Sequence, residues 1–165
     1  MRRGGRQSRG IFERPQVGSA AHNHGEYFFN MRLDIYVNYR GNCEDAFRYY
    51  EEHLGGKVTN MMRHGDMPDS RVPEDWKGKV LHAHLQLGES ALLGADIPNA
   101  EPMRSAYVTL TVDEESEVER IYGLLAEGGE IFMKMEKTFF ANRFAMLRDR
   151  FGTSWMLLQG SPSPG

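Results

Sequence analysis

Residues 34–62 read DIYVNYRGNCEDAFRYYEEHLGGKVTNMM, and residues 106–135 read AYVTLTVDEESEVERIYGLLAEGGEIFMKM. These two stretches decide the fold. Tyr36-Val37 recurs as Tyr107-Val108, 71 residues on, and at the same offset Phe47, Tyr50 and Leu54 fall on Val118, Ile121 and Leu125. Gly55-Gly56 meets Gly128-Gly129 after a slip of two residues. Each copy runs strand, helix, Gly-Gly, strand. A repeated unit of this size seldom buries its apolar face alone, so it packs with its copy. The expectation is one domain of two similar halves, with any site between them.

The strand at 33–39 alternates, with Leu33, Ile35 and Val37 on one face and Asp34, Tyr36 and Asn38 on the other. That period of two predicts a strand with one core face. Asn42 is placed as an N-cap, Glu44 and Asp45 suit the positive end of a helix dipole, and Ala46, Phe47, Tyr50 and Leu54 form one helical face. Gly55 reads as the C′ glycine. Strands follow at 57–63, 79–87 and 90–96, with a long exposed connection over 64–78. The second half repeats the order: a strand at 105–112, a helix at 114–126 capped by Asp113, and strands at 130–135, 142–149 and 153–159.

Each half is therefore βαβββ. The fold class is α+β, with two βαβββ modules (about 32–96 and 104–159) forming paired curved mixed sheets around a cup, helices on the outside. The apolar strand faces pack on the helices, and the more polar faces line the cup.

Parity names its contents. Asp34, Tyr36 and Asn38 come from the first strand; Val80, His82, His84 and Gln86 from the third; Tyr107, Thr109 and Thr111 from the fifth. Ser154, Met156 and Leu158 come from the last, provided Trp155 and Leu157 pack inward. His82 and His84, at i and i+2, share a face about 6–7 Å apart along the strand. Such a pair can contribute to a metal site, which needs a third ligand, or supply a general base near neutral pH. Asp34 is the only acidic residue that parity puts beside them. A plain polar pocket wall is the third reading. Arg143 is a candidate for an anionic ligand or for a surface salt bridge.

The rest of the chain narrows the classes. Net charge is −3, which gives no basis for a nucleic-acid partner. No apolar run approaches the roughly 18 residues of a membrane helix. The single cysteine, Cys43, excludes an intrachain disulfide and reads as a buried hydrophobe in a cytoplasmic protein. Ten methionines give a soft interior or an adaptable cavity. Residues 1–30 carry five arginines and no periodic apolar face, so they read as a disordered extension, with Met31 as the natural start. Residues 161–165 read as a tail. No phosphate-cradling glycine loop and no nucleophile elbow is present.

Three segments, RGNCEDAFRYYEEHLGG, KVLHAHLQLGES and LLAEGGEIFMKMEKTFFANRFAMLRDRFGTSWML, resemble the vicinal oxygen chelate superfamily, which includes glyoxalase I, bleomycin-resistance proteins and extradiol dioxygenases. They look most like its PhnB-like branch, often labelled demethylubiquinone methyltransferase-like. The resemblance spans about residues 32–159. It implies a small-molecule ligand and a homodimer. Metal-using relatives place ligands at positions that fall near Asp34 or Tyr36, near Leu92, at Tyr107 and at Met156. Leucine, tyrosine and methionine cannot reproduce a His/Glu tetrad there, so neither a metal nor another cofactor is expected. Two functions stay open. One is metal-independent binding through Asp34, Tyr36, Asn38, Gln86, Tyr107, Thr109 and Met156. The other is an isomerase, lyase or transferase with His82 or His84 as general base.

Overall fold

A computed structural model describes residues 33–160. The expected start at Met31, the extension over 1–30 and the tail at 161–165 lie outside the described residues. The first module contains β1 (Ile35–Tyr39), α1 (Cys43–Leu54), β2 (Lys57–Arg63), β3 (Val80–Leu87) and β4 (Ser90–Asp96). The second contains β5 (Val108–Val112), α2 (Glu115–Ala126), β6 (Glu130–Glu136), β7 (Phe144–Arg148) and β8 (Ser154–Gln159). The sheets repeat each other strand for strand, in the orders β1-β4-β3-β2 and β5-β8-β7-β6. In each, the first strand pairs parallel with the last and the remaining pairs are antiparallel. This is the expected α+β pair of βαβββ modules with mixed sheets.

Every helix residue that the repeat singles out faces its sheet. Phe47, Tyr50, Val118, Ile121 and Leu125 are buried, and Leu54 packs against them. α1 sits so close to β4 that a methyl group at Gly94 would lie 2.8 Å from the Phe47 ring and 3.1 Å from Cys43 Sγ. Glycine is needed there because helix and strand backbones approach. Gly55 ends α1 with φ 72°, the left-handed conformation that glycine adopts without a Cβ penalty.

The start of α1 departs from the expected cap. Asn42 is the N-cap residue, but its side chain makes no capping bond. The acceptor comes from the end of β4, the strand that pairs beside β1. Asp96 Oδ1 takes N–H bonds from Gly41 (2.9 Å) and Cys43 (3.0 Å), and its Oδ2 takes one from Val80 (2.9 Å). The same contact corrects the placement of Val80 in the cup. A register shift between Met62 and Arg63 turns Val80 to the helix side, where it is 1% exposed. In the second helix the cap position is Glu114, one residue past the expected Asp113. The 64–78 connection holds two short 3-10 turns, His64–Asp66 and Glu74–Trp76.

The helix sides of the two modules share one core. Tyr50 of α1 meets Trp155 of β8 edge to face, ring centroids 5.3 Å apart, and donates to Asp149 Oδ2 at 2.6 Å. Trp155 Nε1–H donates to the same oxygen at 2.8 Å, while the N–H groups of Phe151 and Thr153 reach Oδ1 at 2.9 and 3.0 Å. Tyr39 Oη lies 2.9 Å from Thr153 Oγ1. Tyr49 adds a bond to the Leu124 carbonyl at 2.9 Å, and Arg120 one to the His53 carbonyl at 2.8 Å. A buried carboxylate is costly unless hydrogen bonds replace its water, and Asp149 receives four. Burial nevertheless pushes its carboxyl above the ordinary range, against the opposing pull of those bonds.

Candidate functional site

With the helix sides committed to the shared core, the opposite face of each sheet is the one left to meet a ligand. On the first module most of the residues assigned to the cup lie on the open face; besides Val80, the exceptions to the alternation are Leu33 and Ile35, placed on the core face but 92% and 38% exposed at the start of β1. Tyr36 is 49% exposed, Asn38 is exposed, and Asp34, His82, His84 and Gln86 are half-buried, whereas Val37, Tyr39, Ala83 and Leu85 are in the core. On the second module Thr109 and Thr111 are exposed and Met156 half-buried, while Trp155 and Leu157 are fully buried. Ser154, also expected in the cup, is instead 2% exposed and donates to the Met103 carbonyl at 3.0 Å, covered by the segment before β5.

The expected site residues do not form one cluster. Tyr36 reaches across β4 to His82, with Oη 3.3 Å from Nδ1 and the rings stacked at 5.8 Å and 28°. The contact is diagonal, because on the intervening strand the register partner of Tyr36 is Leu93, which in turn pairs with His84. Burial, with a smaller contribution from Cys43, raises the Tyr36 hydroxyl above its ordinary value, so it stays protonated at neutral pH. His82 then has two states. With Nδ1 accepting from Tyr36, it presents an Nε2–H donor to the open face; with Nδ1–H donating, Nε2 carries a free lone pair. His84 does not share this pair, because its Nδ1 is bonded to Thr59 Oγ1.

Gln86 is held by the β3–β4 turn, its Nε2 donating to the carbonyls of Gly88 (2.8 Å) and Ser90 (3.0 Å). Asn38 lines a crevice of about 210 Å³ with Tyr39, Asn42 and Phe151. Thr109 lines another of about 320 Å³ at the module seam, with Ile35, Leu92 and Trp155. Asp34 lies just before β1. Arg143 takes the salt-bridge reading, bridging Glu115 and Glu119 of α2.

On the second module Thr109, Met156 and Met146 form one row across β5, β8 and β7. Tyr107, just before β5, stands edge-on to Phe132 with centroids 6.4 Å apart. The Arg148 guanidinium sits 5.5 Å over the Phe132 ring and is also bonded to Glu130. Phe132, Met146 and Met62 are open-face residues that parity alone does not select. β6 carries register shifts on both sides of Met133, which hide the alternation that would point to Phe132.

Leu92 is 2% exposed and faces α1, and Tyr107 and Met156 offer a phenol and a thioether. Among the described residues no three His, Cys, Asp or Glu side chains gather as a metal group. No helix among them is long and apolar enough to cross a membrane.

Comparison with known proteins agrees with this architecture. The family model described as Glyoxalase/Bleomycin resistance protein/Dioxygenase superfamily matches residues 32–157. Protein YjdN of Escherichia coli K12 is 30% identical over 139 residues, covering 77% of this chain and 94% of that protein. The crystal structure of protein PA1353 from Pseudomonas aeruginosa superposes with a TM-score of 0.72 at 38% identity, covering 80% of this chain and 99% of the other. A PhnB protein from Bacillus cereus superposes with a TM-score of 0.67 at 22% identity, covering 79% and 100%, a likeness of fold.

Proposed function

From the chain's membership of the Glyoxalase/Bleomycin resistance protein/Dioxygenase superfamily, we propose that it is a small-molecule-binding protein that needs no metal, and that it works as a cytoplasmic homodimer. The observation that carries the reading is the character of the two open faces. They hold aromatic and methionine side chains accessible to a ligand, including Tyr36 at 49%, Phe132 at 43% and Met62 at 37% exposure. Exposed apolar side chains of this size on a face left over from core packing are the usual mark of a binding surface. The two faces lie on the far sides of their sheets from the shared core, so a second copy is the element that closes a cup over them. Asp34, Tyr36, Asn38, Gln86, Tyr107, Thr109 and Met156 are its proposed contacts, with Gln86 acting through the turn that it holds.

A second reading has its own support in the Tyr36–His82 hydrogen bond, which can keep the imidazole in the tautomer with a free Nε2. His82 is then a general base for a metal-independent isomerase, lyase or transferase, and His84, bonded to Thr59, is the weaker candidate. A thermal-shift screen of aromatic, phosphonate and metal ligands tests the binding reading. Stabilisation by an organic compound, unchanged by a chelator, supports it. Stabilisation by divalent metals alone, abolished in His82→Ala, contradicts it.

A further inference from the structure

Ile35 and Leu110 hold core-face positions on the edge strands of the two sheets, yet Ile35 is 38% exposed and Leu110 only half-buried. Leu87, packed against the core at the end of β3, is half-buried too. These three side chains stay partly uncovered because they surround a hollow of about 320 Å³ where the two modules meet. Its floor is buried core, formed by Ala91, Leu92, Val108 and Trp155. Ser90, Thr109 and Thr111, all exposed, complete the lining at the rim. Among the described residues that line it none is charged. The Trp155 Nε1–H is taken by Asp149, so the hollow meets only the indole ring. β1 and β5 each end a sheet, and an edge strand keeps backbone N–H and C=O groups outside the ladder.

We propose that this hollow is a binding site for a neutral, compact apolar molecule carrying one hydroxyl or carbonyl group. Its apolar walls come from the core faces of both modules, so it is separate from the open faces and shares with them only Thr109. Size sets the dimensions of the ligand. A dry cavity of about 150 Å³ takes benzene, so a hollow about twice as large takes roughly ten to twelve non-hydrogen atoms. Lining chemistry sets its class. A charged group would lose its water here and find no counter-charge, whereas a single hydroxyl or carbonyl can meet the Ser90 or Thr109 hydroxyl or a backbone group on the outer edge of β5. The bound molecule would touch β1 and β4 of the first module and β5 and β8 of the second. It therefore ties the modules together at their joint and stabilises the folded chain by linkage.

The test uses the full chain with Trp76→Phe, which leaves Trp155 as the sole tryptophan. Decahydro-2-naphthol, a neutral alcohol of the stated size, is the probe, and decahydronaphthalene-2-carboxylate is its charged control. A saturable change in Trp155 emission and a raised melting temperature are expected with the alcohol, and binding at least about tenfold weaker with the carboxylate. Ile35→Phe and Leu110→Phe each put extra volume into the hollow from a position that is not fully buried, so the fold is kept, which circular dichroism checks. Each should weaken binding of the alcohol by about tenfold or more, because a filled space has no room for it. Undiminished binding in both folded variants overturns the location. Equal binding of the carboxylate overturns the ligand class. No saturable change in Trp155 emission with the alcohol up to about 1 mM overturns the site itself.

Discussion

Tyr50→Phe tests the joint between the two repeats. The change removes one oxygen from a fully buried ring and leaves its packing on Trp155 and Phe47 in place. What is lost is the 2.6 Å bond to Asp149, a carboxylate that is 5% exposed, together with the weaker 3.0 Å contact with Thr153 Oγ1. A hydrogen bond to a charged group contributes about 1.5–3 kcal/mol, and the deprived carboxylate stays buried with its three other donors. For a chain of this length each kcal/mol moves the melting temperature by roughly 2–4 °C, so a fall of about 3–12 °C is expected. Thermal unfolding followed by far-ultraviolet circular dichroism and by tryptophan fluorescence measures it. With Trp76 of the first module replaced by phenylalanine, fluorescence reports Trp155 of the second module and circular dichroism reports both, so the two signals should fall together with and without Tyr50→Phe if the modules share one core. A double-mutant cycle with Asp149→Asn should give a coupling above about 0.5 kcal/mol, since the two groups touch. A melting temperature within about 1 °C of wild type, or separate transitions for the two signals, would refute the shared-core reasoning.

Three further predictions follow from single contacts. Asp96→Ala leaves three N–H donors unanswered, two of them buried, and should cost about 3 kcal/mol or more in chemical denaturation, whereas Asn42→Ala, at a cap position without a capping bond, should stay within about 0.5 kcal/mol. Gly94→Ala forces a methyl group to within 2.8 Å of Phe47 and should destabilise by about 1–3 kcal/mol; Gly123→Ala, exposed on α2 with nothing within 4 Å, should stabilise by about 0.5–1 kcal/mol. Asp149 binds its proton more tightly folded than unfolded, so its contribution to stability falls as pH rises from its ordinary value of 3.8 through its raised one, and is level above that. Subtracting the stability-versus-pH curve of Asp149→Asn from that of wild type should reveal this downward slope, and an upward slope over the same interval would contradict the assigned cause.

The repeat makes the architecture legible in the amino-acid order alone. A 71-residue offset that aligns Phe47, Tyr50 and Leu54 with Val118, Ile121 and Leu125 carries both strand order and helix facing, because periodicity reports which face each residue buries. It also puts Tyr36, His82, Tyr107 and Met156 on the open faces. Alternation fails where a bulge interrupts it, which is why it assigns Val80 to the cup and passes over Phe132. Contacts between distant residues leave no local pattern. The capping of α1 by Asp96, 53 residues from Cys43, is invisible to a rule that looks for a cap beside the helix. Asp149 reads as one more polar residue beside a turn until Tyr50, 99 residues away, is seen to donate to it. Nor does parity distinguish the engaged Gln86 and His84 from the paired Tyr36 and His82, because it fixes direction and not partners.

The central claim is that the two open faces become one binding cup only when a second copy is present. Light scattering at micromolar concentration tests it most directly. The account predicts a mass near twice the 18.9 kDa of the chain, and a mass of one chain at that concentration would contradict it.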